Sequence, residues 1–179
     1  WFGDSEVVDD SGEPKVVYHG TQRNTLGPGS NDFSVFSTDG RGKTGGSGAF
    51  FTDNPEVAST YTPMEGRREG EGTVYPVYLR MQNPVVIDAK GAAWNDIGPD
   101  AEVETGSIGG DGKPIMASIT DPEAEDALGA LADEIGPDDP ASIDDIARVV
   151  RERGFDGVIM RNVLDRGAGP SYGDLVSES

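Results

Sequence analysis

His19 is the only histidine in this chain, and its setting suits a binding group. It follows the apolar run Val16-Val17-Tyr18 and directly precedes Gly20. An apolar β-type run that meets a glycine predicts a strand opening into a turn, with the imidazole at the opening. Taken alone, a histidine at a strand end is more often an ordinary hydrogen-bonded residue. We therefore weigh it together with a second motif downstream.

The second motif spans residues 48–61 and again combines a short apolar strand with a signal that ends it. A short apolar strand is predicted over residues 49–52. It runs into Asp53-Asn54-Pro55, which combines a capping side chain with proline at the first helical position and so predicts a helix start. Tyr61 then falls one to two turns into that helix. Phe50 and Tyr61 would each, taken alone, be read as ordinary core aromatics.

The elements around these motifs are short. Residues 7–18 predict a hairpin with a polar turn. Apolar and polar side chains alternate at the start of residues 33–36, which predicts a half-buried strand. The glycine-rich stretch 40–48 carries Arg41 and Lys43, and such a loop beside an imidazole could receive a pyrophosphate, because backbone N–H groups and cations attract anions. The alternative is a disordered surface loop.

The middle of the chain predicts two strands and then an insertion. Residues 74–81 and 85–88 are strand candidates, and Pro76 places the first at an edge or a bulge. Residues 89–140 are interpreted as an insertion that holds a small hairpin, with Val103 opposite residues 114–116, and an acidic helix over residues 122–135 with one apolar face.

The last third of the chain has the best-defined helix. Ser142 is its predicted N-cap, acidic residues occupy the first turn, arginines lie toward the end, and Gly154 follows it. A strand is predicted over residues 155–160, continuing to residue 165.

Composition narrows the classes of function. The 179 residues predict one domain, and the formal net charge of −19 argues against a nucleic-acid or anionic membrane partner, since phosphate binding needs a basic face. The absence of cysteine excludes thiolate metal sites and cysteine nucleophiles, and we expect no metal. No membrane span or targeting signal is apparent. Because the sequence begins with Trp1, we expect it to be a piece of a longer protein.

Together these motifs resemble the ADP-ribosyltransferase superfamily, in the branch with a histidine-tyrosine-glutamate site to which diphtheria toxin and the poly(ADP-ribose) polymerases belong. The chain is most similar to transferase domains of phage and mobile-element polyvalent proteins. Phrases around residues 77–88 and 153–163 resemble the same family. The resemblance implies an α+β fold whose split antiparallel β-sheet core forms an NAD cleft, with flanking helices and the 89–140 insertion, all within one domain.

The resemblance also implies roles for individual residues. His19 would hydrogen-bond a hydroxyl of the ribose on the adenosine side of NAD, Gly20 would offer its backbone to the nicotinamide amide, and Thr21 would support that turn. Tyr61 would stack on the nicotinamide ring, with Phe50 in a position where many members carry tyrosine. Ser59 would reach the nicotinamide amide, unless Ala58 is the matching position.

The third family motif is a late strand that carries the catalytic glutamate. Glu178 is our candidate for it and Asp174 the second choice, although neither is followed by an apolar run. We therefore expect weak or absent activity for a chain that ends at Ser179.

The resulting hypothesis is an enzyme, a mono-ADP-ribosyltransferase that consumes NAD and modifies a protein acceptor. A close variant is an NAD glycohydrolase, in which water replaces the acceptor. A different class is a catalytically inactive NAD- or protein-binding module, and a small toxin-type nuclease ranks last. We expect a toxin-like, acidic protein that acts in the cytoplasm or is delivered into a host cell within a larger phage or mobile-element protein.

Overall fold

A computed structural model describes residues 2–21, 48–62, 72–94, 96–121, 140–165 and 175–177. Five predicted features lie outside these residues, wholly or for the most part: the strand 33–36, the basic loop 40–48, the helix 122–135, Asp174 and Glu178.

Strands dominate the described part of the chain, and the predicted α+β class is confirmed. The elements are, in order, β1 (Val16–Thr21), α1 (Pro55–Thr60), β2 (Thr73–Tyr78), β3 (Pro84–Asp88), β4 (Glu102–Ile108), β5 (Pro114–Ser118), α2 (Ile143–Glu152), β6 (Gly157–Arg161), β7 (Val163–Asp165) and β8 (Leu175–Ser177). They form a β1-β2 sheet, a β5-β4-β3-β6 sheet and a β7-β8 sheet. Neither described helix is long and apolar enough to cross a membrane.

The predicted hairpin at the start of the chain is confirmed. Val8 pairs with Pro14, and Asp9 closes the turn by accepting hydrogen bonds from two backbone N–H groups with its Oδ1. β1 then pairs antiparallel with β2, whose Pro76 lies opposite Tyr18. Among the described residues β2 has no other strand neighbour, which fits the predicted edge position of this proline.

The predicted strand over residues 49–52 is reduced to a single bridge. Tyr18 and Thr52 exchange two backbone hydrogen bonds, with N···O distances of 2.7 and 3.0 Å. This bridge nevertheless places the Phe50 segment beside β1, on the edge that β2 leaves open.

The main core lies between the four-stranded sheet and α2. β3 is central, pairing parallel with β6 and antiparallel with β4. Ile87, Val103, Ile146 and Val149 are completely buried there. Their burial provides the apolar contact that holds helix and sheet together.

The predicted β4–β5 hairpin is also present. Ile108 lies opposite Pro114, and Val103 lies opposite Ala117, one residue beyond the expected range. Because β4 pairs with β3, this hairpin extends the main sheet. The identification of residues 89–140 as an insertion stays a prediction.

The N-terminus of α2 carries the predicted cap in full. The Ser142 side chain accepts from the backbone N–H of Asp145, and the Asp145 carboxylate accepts from the backbone N–H of Ser142. The Ser142 hydroxyl also donates to Asp145 Oδ2 at 2.6 Å. This reciprocal capping box satisfies donors that the first helical turn leaves without helical partners.

We expect Ser142→Ala to lower the free energy of unfolding by about 1 kcal/mol, the usual cost of losing such a cap. Urea unfolding at neutral pH measures it, with Ser11→Ala in an exposed turn as the control. Equal stability of the two variants would contradict the role of the cap.

The effect of this variant should also depend on pH. Hydrogen bonds from the side chain and backbone of Ser142, together with the Arg148 charge, hold the pKa of Asp145 below its ordinary value. A carboxyl whose pKa is lower in the folded state adds stability above its unfolded pKa of about 4 and loses it as pH falls through the folded pKa. The difference between wild type and Ser142→Ala should therefore shrink in acid.

The predicted strand from residue 155 to 165 is divided by Asn162. This residue has a left-handed φ of 51°, and its side chain donates to Asp88 Oδ1 at 3.0 Å. Asparagine tolerates this conformation better than most residues. The turn takes the chain out of the sheet that contains β6 and directs β7 toward the β1 side of the molecule.

Candidate functional site

The His19 ring is fixed to the neighbouring Phe50 segment. Its Nδ1 lies 2.7 Å from the backbone oxygen of Phe50, and its ring centroid is 5.5 Å from that of Phe51. A carbonyl oxygen can only accept, so Nδ1 carries the proton and donates. In the neutral imidazole, Nε2 is then the acceptor nitrogen. The hydrogen bond therefore fixes the half-buried ring against the Phe50 segment and defines its tautomer.

Gly20 allows β1 and α1 to approach each other closely. A Cβ atom at this position would lie 1.8 Å from the carbonyl oxygen of Ala58 and 3.2 Å from the Cβ of Tyr61. Such distances exclude any side chain. The glycine after the histidine is thus required by packing, and it brings Tyr61 next to the strand end that carries His19.

Helix α1 begins as predicted and ends early. Asn54 caps it by accepting from the N–H of Glu56 at 2.9 Å, and Pro55 is the first helical residue. Three hydroxyl groups donate back to carbonyls three residues earlier, each at 2.7 Å, from Ser59, Thr60 and Thr62. Such bonds compete with continued helical pairing. Tyr61 is consequently the C-cap residue instead of lying within the helix.

The Tyr61 hydroxyl donates to Oδ1 of Asp165 at 2.6 Å. Asp165 is the last residue of β7 and is 6% exposed. Burial, followed by the hydrogen bond and charge of Asp165, raises the pKa of Tyr61 well above its ordinary value. Tyr61 therefore remains a protonated donor, with its Cβ beside Gly20 and its hydroxyl on Asp165.

Phe50 continues this set of contacts on the other side. Its exposed ring meets the half-buried Trp94 edge to face, with centroids 5.8 Å apart and planes at 82°. The residue before Trp94, Ala93, pairs with Leu164, which precedes Asp165. The contacts thus form a closed circuit that runs from β1 through the Phe50 segment and Trp94 to β7, and back through Tyr61.

The remaining predicted site residues fall at the margins of this circuit or outside the described chain. Thr21 is half-buried at the end of β1, opposite Thr73. Ser59 is exposed and its hydroxyl donates to the Glu56 carbonyl, whereas Ala58 is buried against β1. The contact of Ser59 with nicotinamide stays a prediction. Glu178 and Asp174 lie outside the described residues, as does the basic loop with Arg41 and Lys43.

A cavity of about 610 Å³ lies beside the circuit, and Phe50 is the one predicted site residue among the described residues that line it. Its walls include Lys15 and Val17 of the β1 segment, Trp94, and residues of α2 and β6. Side chains alternate along a strand, so Lys15, Val17 and His19 share one face of β1. The cavity is largely apolar space between β1 and α2. We therefore locate the candidate site by the contacts of His19 and Tyr61 and not by this cavity. No metal-binding group of acidic or histidine side chains occurs among the described residues.

Asp165 and Trp94 were not anticipated as site residues. Asp165 follows an apolar pair at the end of a predicted strand, which is a detectable signal for a carboxylate at a strand end. Its contact with Tyr61 spans 104 positions along the chain. Trp94 lies in the region interpreted as an insertion, where no local pattern relates it to Phe50.

The strand-borne His-Gly-Thr, the helix capped by Tyr61 and the α+β architecture are the features expected of an ADP-ribosyltransferase-type domain. The family described as ADP-ribosyltransferase in polyvalent proteins matches residues 9–171. The chain therefore belongs to this family, and the resemblance seen in the sequence is confirmed. No curated protein and no solved structure matches the chain.

Proposed function

We propose that this protein is an NAD-dependent mono-ADP-ribosyltransferase that modifies a protein acceptor. The observation that carries the proposal is the approach of Gly20 to Tyr61 beside the anchored His19 ring, in a chain that belongs to an ADP-ribosyltransferase family. The proposal is supported by a backbone edge, an aromatic side chain and an imidazole that lie on neighbouring residues of β1 and α1. Those are the groups needed to hold a nicotinamide ring and a ribose.

In the proposed reaction the bond between the nicotinamide nitrogen and ribose C1′ breaks. Its electron pair moves to the ring, which leaves as neutral nicotinamide, while positive charge develops on the sugar. The acceptor attacks C1′ and loses a proton. Tyr61 orients the leaving ring, His19 orients a ribose, and an acidic residue stabilises the developing charge. Glu178 remains our candidate for this acidic residue.

The proposal predicts that the protein releases nicotinamide from NAD. We would incubate it with NAD labelled on the adenylate phosphate, with and without a cell lysate, and measure free nicotinamide and protein-bound label. Tyr61→Ala should reduce release at least tenfold, because the ring that orients the leaving group is lost. Tyr78→Ala, which removes a half-exposed tyrosine from β2, is the matched control and should retain release.

The outcomes separate the alternatives. Label on protein supports a transferase, and free ADP-ribose without labelled protein supports an NAD glycohydrolase. Calorimetric binding of NAD without release supports an inactive binding module. If the protein neither binds nor consumes NAD, the proposed function is wrong.

A further inference from the structure

The contact between Tyr61 and Asp165 is the best-defined buried polar interaction of the site. The O···O distance of 2.6 Å is that of a charge-assisted hydrogen bond from a hydroxyl to a carboxylate. At 6% exposure, Asp165 is one of three buried polar or charged residues among those described. Burying a carboxylate costs free energy unless it is paired and hydrogen-bonded.

Both partners are held by their backbones. Asp165 ends β7, which pairs with β8, and the preceding Leu164 donates its N–H to Ala92 O at 2.9 Å. Tyr61 caps α1 through an N–H bond to Ala58 O at 3.2 Å. The hydrogen bond therefore joins two separately anchored elements, so it fixes the plane and position of the tyrosine ring.

The carboxylate also affects the electrostatics of that ring. A phenol that donates to an anion is richer in electron density, which strengthens its attraction for a cation on the ring face. The nicotinamide of NAD⁺ is a cation, whereas the dihydronicotinamide of NADH is neutral. A cation–π contact changes affinity by roughly two- to thirtyfold, depending on desolvation. The net charge of −19 also disfavours NADH, which carries one more negative charge than NAD⁺, so a control variant that removes one exposed charge is needed to measure this general effect.

We propose that Asp165 is a positioning and specificity-determining residue that fixes the Tyr61 ring and makes the site prefer the cationic nicotinamide of NAD⁺ over a neutral ring. This inference rests on the proposed function, because it takes Tyr61 as the ring that stacks on nicotinamide. It adds a role for a residue outside the histidine, tyrosine and glutamate motifs.

Calorimetry with NAD⁺ and with NADH tests the proposal, using the full chain and a chromatographic check that NAD⁺ stays intact. Wild type should bind NAD⁺ more tightly than NADH. Asp165→Asn keeps the size and an acceptor oxygen but removes the charge. It should weaken NAD⁺ about tenfold and change NADH less than twofold. A merely structural role would weaken both ligands alike.

Asp111→Asn is the matched control. It makes the same change in net charge at an exposed hairpin turn, where the Asp111 side chain accepts from the N–H of Lys113. Removing a negative charge anywhere eases the approach of a phosphate-bearing ligand, so general electrostatics predict tighter binding. Weaker NAD⁺ binding in Asp165→Asn alone therefore supports a local effect.

Tyr61→Phe shows whether Asp165 acts through the hydroxyl. We expect this variant to lower the NAD⁺ preference at least threefold, and Asp165→Asn to have no further effect on the preference in its background. An undiminished effect in that background would overturn the positioning role. If Asp165→Asn fails to fold by circular dichroism, an unchanged preference in Tyr61→Phe is sufficient to reject the proposal.

Failure of this inference is distinguishable from failure of the proposed function. Wild type that consumes NAD⁺ but binds NAD⁺ and NADH equally leaves the function intact and rejects the role of Asp165. Wild type that binds neither ligand rejects both.

Discussion

Gly20→Ala is expected to lower the free energy of unfolding by about 3 kcal/mol, the upper end of the usual cost of overpacking. The added Cβ would lie 1.8 Å from the Ala58 carbonyl oxygen and 2.8 Å from its carbon. Both atoms belong to the backbone, so no rotamer change relieves the clash. β1 and α1 must therefore move apart. That movement disturbs the packing of Val57 and Ala58, which are almost completely buried. Urea unfolding measures the loss.

Gly98→Ala is the control for this variant. A Cβ at Gly98 meets nothing within 4 Å, and its φ is not in the left-handed region, so the substitution should be nearly neutral. Adding Ala58→Gly to Gly20→Ala should not restore stability, because that change leaves the obstructing carbonyl in place. Equal stability of Gly20→Ala and Gly98→Ala would show that β1 and α1 are not packed as described.

Gly20→Ala should also bind NAD more weakly, even under conditions in which the variant remains folded. Separating β1 from α1 moves Tyr61 away from the strand end that carries His19. We expect NAD affinity to fall at least tenfold at a temperature where the variant is fully folded, as measured by calorimetry. Retained affinity would place the nicotinamide site elsewhere.

Local patterns in the sequence were sufficient to place the helix starts. Asn54 and Ser142 were both predicted as part of helix caps, and Gly154, with a left-handed φ of 81°, follows α2 as expected. Caps are predictable because their partners lie within three residues. The ends were less predictable, since α1 stops at Thr60 where successive hydroxyl groups take up helical carbonyls.

Long-range pairings account for what the sequence did not reveal. Tyr61 meets Asp165 only because Asn162 turns the chain between β6 and β7. Trp94 meets Phe50 through the pairing of Ala93 with Leu164. Neither contact leaves a periodic pattern in the sequence, because each depends on how the sheets are arranged in space. The histidine and tyrosine motifs were recognisable by themselves, but their connection through a buried carboxylate was not.

The second large effect is expected at His19. The Nδ1 proton is donated to the Phe50 carbonyl, and we propose Nε2 as the acceptor for a ribose hydroxyl. His19→Ala removes both functions and should lower kcat/KM for NAD about 100-fold, the sum of a lost ligand hydrogen bond and a loosened Phe50 segment, each worth about 1–1.5 kcal/mol.

His19→Asn and His19→Gln divide that effect between the two ring nitrogens. The asparagine amide can reach the position of Nδ1 and donate to Phe50 O, but it provides no acceptor near Nε2. It should therefore keep wild-type stability while kcat/KM falls about tenfold, the cost of one hydrogen bond. The glutamine amide reaches the position of Nε2 and should recover part of the activity at some cost in stability. If asparagine retained full activity, ribose binding by His19 would be wrong, and the histidine would serve only to anchor the Phe50 segment against β1.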